Sequence, residues 1–242
     1  MPVRYWRGGI AREAEVAAGP LGEATTLLGT QACEATVQGL ARSGQLKGYR
    51  YLHFATHGES DPRFAYRTAL ILAPDPDTSA DSTAAETDGT ITAEQIARTW
   101  QLDADLVVLS ACESGLGLAA GAEGYLGFAQ PLFARGARSL VLSQWKVDDR
   151  ATALLMTRFY RNLLGRRAGL AGPLPKVEAL DEAKRWLRGL GPDDVRQLTR
   201  DLPTRGTRGR VEPRKSAEGA AVVPSYEHPY YWSGFILIGD PR

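Results

Sequence analysis

Two cysteines and three histidines stand in the 242-residue chain, and they bound the nucleophilic chemistry it can carry. A thiol becomes a useful nucleophile when a neighbouring base or cation favours its thiolate, and imidazole is the common partner because its pKa lies near neutrality. Cys112 closes a run of apolar residues and is followed by Glu113-Ser114-Gly115. Those flanks suit a tight, open loop that exposes a thiol and offers backbone N–H groups to an oxyanion. His57 follows an aromatic segment and precedes Gly58, a residue whose backbone a substrate can approach without a side chain in the way. The other candidates have plainer readings. His53 falls inside the same aromatic segment, alternates in facing with Phe54, and reads as structural. His228 precedes Pro229 in a tyrosine-rich stretch and reads as a packing or turn residue. Cys33 adjoins an expected helix and, as free cysteines usually do, reads as a packing residue.

The elements that must hold Cys112 and His57 are legible from periodicity. The run 106–109 (LVVL) is continuously apolar, the pattern of a strand buried on both faces of a parallel sheet, and it leads straight into Ser110-Ala111-Cys112. Residues 49–55 read as a strand that ends at the Gly58 breaker and delivers His57 into a loop. Further strands are expected at 25–28, 70–73, 139–143 and 232–238. Helices are expected at 10–18, 34–43, 93–100, 150–164 and 176–189, with one more reaching Gly136 from a glycine-rich stretch at 115–127. Thr92 and Gln95 have the spacing of a capping box for the third of these, and the helix at 150–164 is amphipathic, with Leu154, Leu155, Phe159 and Leu163 on or near one face. Residues 74–88 and 191–224 read as flexible loops, because their Pro, Gly, Asp, Ser and Arg content buries little apolar surface. Alternating strands and helices with long crossovers argue for a mostly parallel sheet with helices on both faces, in which function gathers at the carboxyl ends of the strands. His57 and Cys112 are both expected there, on separate strands.

Composition narrows the function further. A formal net charge of +1, with 29 basic against 28 acidic residues, gives no general attraction to nucleic acid or to an anionic membrane. The arginines between 196 and 214 read as a solvated loop rather than a nucleic-acid patch. Neither cysteine has metal-ligand spacing, and Gly115-x-Gly117 lacks the Lys-Ser/Thr ending of a phosphate loop. No cofactor is expected. The amino-terminal residues show no secretion signal and no apolar run reaches membrane-spanning length, so a cytoplasmic, single-domain protein over 1–242 is expected.

Five motifs in order carry a resemblance to a known family: HFATHG at 53–58, LVVLSACESGLG at 106–117, GARS at 136–139, QWKVDD at 144–149 and HPYYW at 228–232. Together they resemble the CHAT domain, the caspase-HetF-associated-with-TPRs group related to caspases and separases. The resemblance implies a caspase-like three-layer α/β/α sandwich and peptide-bond hydrolysis. The family's His-Gly and Ala-Cys pairs fall on His57-Gly58 and Ala111-Cys112. By that likeness Cys112 attacks the scissile carbonyl, His57 protonates the leaving amine, and the N–H groups of Gly58 and Cys112 hold the oxyanion. Similarity to separases around the Trp-x-Val-x-Asp stretch implies that Asp149 or Asp148 lines a pocket for a basic residue; N-capping of the following helix explains either aspartate equally simply. The family's amino-terminal strand is expected to be shortened or missing here.

The sequence therefore points to a cysteine endopeptidase acting on protein or peptide substrates. No tetratricopeptide-type repeat occurs in it, so the chain is expected to be either a fragment of a larger protein or a separate subunit, regulated by a sensor domain or a TPR-type partner. Three other readings stay open: an idle scaffold of the same fold, a thiol-dependent acyl or amide transferase, and a redox sensor pairing Cys112 with Cys33.

Overall fold

The computed structural model describes residues 3–7, 24–59, 61, 63–75, 88–112, 126–145, 148–199 and 225–242. The apolar run at 106–109 forms the centre of a mixed sheet. Its strand, β6 (Leu106–Cys112), lies between β3 (Tyr51–Glu59) and β7 (Ser139–Ser143), and all three run parallel. On the far side of β3 come β1 (Val3–Arg7) and β2 (Ala24–Thr26), also parallel. Beyond β7 the sheet ends in β8 (Phe235–Gly239), which is antiparallel. The principal order is therefore β2-β1-β3-β6-β7-β8.

Helices cover both faces. The residues alternating inward on one face are Leu52 and Phe54 of β3, Val107 and Leu109 of β6, and Leu140 and Leu142 of β7. They pack against α1 (Glu34–Arg42), α2 (Ala93–Thr99) and α3 (Leu126–Ala134) through Val37, Ile96, Phe128 and Leu132. The opposite face presents Tyr51, Leu106, Val108 and Val141 to α4 (Asp149–Leu163) and α5 (Lys176–Arg188). This is the expected three-layer α/β/α sandwich, and the period-two pleat sorts each strand residue to one core or the other.

Local chemistry explains the better-defined helices. The capping box at α2 is present: Gln95 N donates to Thr92 Oγ1 at 3.1 Å and Thr92 N donates to Gln95 Oε1 at 2.7 Å. The apolar stripe of α4 is buried through Leu155, Met156 and Phe159. Between α4 and α5, Arg158 donates two bonds to the Glu182 carboxylate, at 3.0 and 2.6 Å, and Asn162 donates to it as well. Burial pushes the Glu182 carboxyl up, but the bonds from Arg158 and Asn162 outweigh that and leave it below the usual range.

Several elements differ from the sequence expectation. An amino-terminal strand, β1, exists and pairs with β3 at Arg4 to Arg7. Residues 192–199, expected as part of a loop, form α6 (Pro192–Thr199), whose Val195 is buried in the core shared with α4 and α5. The last strand begins at Phe235 rather than Trp232, because Pro229 opens a helical turn, α7 (Pro229–Trp232), capped by His228. The expected helix at 10–18 and most of the expected loops at 74–88 and 191–224 lie outside the described residues. Among the described residues no helix is long and apolar enough to cross a membrane.

Candidate active site

The principal correction at the site concerns β3. Sequence reading ends this strand at residue 55 and puts His57 in a loop, whereas the strand continues through His57 and Gly58 to Glu59. Two neighbours carry it past the end of β1. On one edge His57, Gly58 and Glu59 pair antiparallel with Ile71, Leu70 and Ala69 of β4 (Ala69–Ile71), which is itself backed by β5 (Thr90–Thr92). Thr56 Oγ1 reinforces this edge by donating to the Ile71 carbonyl. On the other edge the parallel ladder with β6 runs from Tyr51↔Leu106 to His57↔Cys112.

That last rung brings the two candidate residues together. Separated by 55 positions in sequence, His57 and Cys112 are register partners on adjacent parallel strands, with Cα atoms about 4.8 Å apart at ordinary strand spacing. Register partners share a face, and positions 57 and 112 fall on the face covered by α4 and α5, the parity of Tyr51 and Val108. Both stand at the carboxyl ends of their strands. His57 and Gly58 are partly exposed, while Tyr51 to Thr56 are buried. The edge of the buried sheet thus falls at this rung.

The remaining histidines and Cys33 sit as the sequence suggests. His53 is fully buried and its Nδ1 lies 3.0 Å from the Tyr160 hydroxyl of α4. His228 caps α7, its Nδ1 accepting from Tyr230 N at 3.2 Å. Cys33 is buried at the start of α1, with Sγ 3.1 Å from Thr36 Oγ1.

Past the carboxyl end of β7, the strand next to β6, the amino terminus of α4 builds an acidic and aromatic corner. Asp148 is its N-cap: Oδ1 accepts from Arg150 N at 3.1 Å and Ala151 N at 2.9 Å, and Oδ2 takes part in neither bond. Asp149 is the first helical residue and is partly buried. The segment 225–234 closes over this end, with Trp145 Nε1 donating to Tyr230 O at 3.0 Å and Gln144 N donating to Gly234 O at 2.7 Å. Tyr226 and Tyr231 meet in a tilted ring contact, 5.0 Å between centroids. Burial, and then the charge of Asp148, push both phenols above the ordinary tyrosine range, so they stay neutral across physiological pH.

Sequence reasoning passed over three hydroxyls on this side of the sheet. Ser110, two residues before Cys112 and on its face, Thr152 in the first turn of α4, and Tyr226 are all fully or almost fully buried, and none finds a hydrogen-bond partner for its side-chain oxygen among the described residues. Buried hydroxyls usually find a hydrogen-bond partner in the protein or in an ordered water. The i, i+2 spacing of Ser110 and Cys112 was a usable signal; nothing in sequence joins Thr152 or Tyr226 to them.

Comparison with protein families matches residues 7–240 to the CHAT domain. The chain belongs to the CHAT family. The match spans all five motifs, including the strand ends that bear His57 and Cys112 in this CHAT domain. No curated protein gives a significant match. The caspase-like character of CHAT domains agrees with the parallel central sheet and its two helical layers.

Proposed function

We propose that this CHAT domain is a cysteine endopeptidase with Cys112 as nucleophile and His57 as acid/base. The observation that carries the reading is the His57↔Cys112 rung at the carboxyl edge of the sheet. In the proposed reaction the Cys112 thiolate adds to the scissile carbonyl carbon. Backbone N–H groups of Gly58 and Cys112 hold the resulting oxyanion, the C–N bond breaks, and His57 gives the departing amine its proton. Water, deprotonated by His57, then hydrolyses the thioester and restores the thiol. No step calls on a metal or an organic cofactor.

The corner at α4 supports a preference for a basic residue before the cut. Asp148 spends one carboxylate oxygen on the helix cap and keeps Oδ2 outside those bonds, beside the phenols of Tyr226 and Tyr231. A carboxylate bordered by aromatic faces suits a guanidinium, which pairs with one and stacks on the other. Asp149 is the alternative anion for the same pocket. Control by a sensor domain or TPR-type partner completes the proposal.

The test is proteolysis of a diverse peptide library by the purified chain, with new termini read by mass spectrometry and Cys112→Ala and His57→Ala run in parallel. Cuts made by the parent chain alone, enriched in arginine or lysine on the amino side, are expected. Equal cutting by folded Cys112→Ala would sink the assignment of the nucleophile.

A further inference from the structure

The connection from β3 to β4 carries an exposed aromatic pair. Among the described residues four large apolar side chains stand exposed: Phe64, Tyr66, Val177 and Leu198. Val177 and Leu198 lie on separate helices, and single apolar residues of that kind need no explanation. Phe64 and Tyr66 differ, because they touch: their ring centroids are 5.6 Å apart, while each side chain keeps close to half its surface in water, at 42% and 47% exposure.

The backbone that displays the pair is tied to the core. Asp61 Oδ1 accepts from the N–H groups of Arg63 and Phe64 at 2.8 and 3.0 Å and fixes the turn. A 3₁₀ turn (Ala65–Arg67) follows, in which Arg67 N donates to Phe64 O at 2.9 Å and Thr68 N donates to Ala65 O at 3.2 Å. This turn packs on α2 and α3. Ala93 N, at the start of α2, donates to Thr68 O at 2.9 Å. Gly127 lets α3 approach so closely that a Cβ there would lie 2.9 Å from Thr68 Oγ1 and 3.2 Å from the Ala65 carbonyl oxygen. The Arg67 guanidinium sits 4.9 Å from the Phe64 centroid and 5.9 Å from that of Tyr66, packing with both rings. The charges nearby, Glu59, Asp61, Arg63 and Arg67, cancel, so the turn offers apolar area rather than a field.

Position gives the pair a use. The connection closes on the Glu59↔Ala69 rung, two residues past His57. The acidic corner at α4 lies in the other direction, past β7, with β6 and Cys112 between. In the proposed reaction His57 protonates the departing amine, so the part of the substrate that follows the cut leaves on the β3 side. The order along the carboxyl edge of the sheet is thus acidic corner, Cys112, His57 and aromatic pair. β4 stands two strand spacings from β6, about 10 Å, and an extended chain covers that distance in about three residues.

We propose that Phe64 and Tyr66 form a docking platform for a large apolar side chain of the substrate, about three residues to the carboxyl side of the cut. The inference rests on the reading of Cys112 and His57 as the cutting pair, and its test separates the two. Fluorescence anisotropy of labelled peptides on the full chain carrying Cys112→Ala measures binding without turnover. The peptides are alanine-based with one arginine; phenylalanine stands at each of the first four positions after the arginine in turn, before it, or nowhere. Phenylalanine at about the third position after the arginine should tighten Kd at least about tenfold over the peptide without it. The double variant Phe64→Ala, Tyr66→Ala should remove that preference with Tm held, since both side chains are exposed. Leu198→Ala, on α6 and equally exposed, should keep it. With Cys112 intact, the same phenylalanine should lower KM and leave kcat within about threefold. Equal affinity for all peptides, no binding below about 1 mM, a preference on the amino side of the arginine, or a preference that survives in the folded double variant would overturn the platform. A preference that depends on Phe64 and Tyr66, in a chain that cuts none of these peptides, would support the platform as a peptide-binding surface and sink the peptidase reading instead.

Discussion

Replacing Tyr160 with phenylalanine separates the two histidines of β3 by role. The change deletes one oxygen, and the ring remains to pack with Phe159 at 5.2 Å between centroids. What is lost is the 3.0 Å bond to Nδ1 of His53, a side chain with no exposed surface. Water cannot replace that bond without opening the core between β3 and α4. The cost is that of leaving a buried polar atom short of a partner, about 1–3 kcal/mol. For a chain of this size each kcal/mol moves Tm by about 2–4 °C, so a fall of about 2–12 °C is expected in differential scanning calorimetry. Peptide cleavage at 25 °C should stay within about threefold of the parent, since the bond lies four residues below the His57 rung. His57→Ala should show the reverse, with a Tm change worth about 0.5 kcal/mol or less for its partly exposed side chain and cleavage abolished. An unchanged Tm in Tyr160→Phe together with lost cleavage would refute the division, and would move His53 from the core into the chemistry.

Asp148→Asn keeps an N-cap acceptor and removes the charge, so Tm should hold while kcat/KM for arginine before the cut falls by about 10- to 100-fold, the worth of one charge-assisted bond; an equal fall for a neutral residue there would count against the pocket. Gly136→Ala should unfold the chain or cost several degrees in a thermal melt, because φ is +109° and an added Cβ would run into the Leu102 carbonyl. Burial pushes the Asp105 carboxyl up, yet the bonds from Arg50 and Arg138 outweigh it and hold it below the usual range. A lowered carboxyl contributes stability above the unfolded pKa of about 4 and loses it as pH falls through the folded value. Asp105→Asn should therefore be less stable than the parent at pH 7, by about 1 kcal/mol or less given its exposed arginine partners, and the gap measured by urea unfolding should close below pH 4.

The parts of the fold legible in the sequence are those where one physical signal dominates. β6 and β7 are buried on both faces and read as unbroken apolar runs; α2 carries its capping box and α4 its stripe. What escaped depends on partners remote in sequence. β1 and β5 span only five and three residues and exist through pairing with β3 and β4. Gly58 reads as a breaker, yet pairing with Leu70 keeps the strand intact through it. In α6, Gly191 before the helix and Pro192 at its first position masked a helix that forms because Val195 finds the core and Asp194 accepts from Gly191 N at 3.0 Å. At the site, the residue types were readable and the rung was not, since register is a property of two strands rather than one.

The ladder that joins His57 to Cys112 has a consequence for how such a protein diverges. Parallel partners share a face only when their register differs by an even number of residues. One residue inserted in β3 before His57 would carry the imidazole to the face of α1 and α2; two would restore the face but displace it by about 6.6 Å. Between those steps there is no intermediate setting, because Leu52 and Phe54 are locked in one core and Tyr51 in the other. Drift in this lineage must then spare the length of β3 and spend itself on side chains, so that a descendant loses its dyad by substitution and keeps the spacing as a fossil.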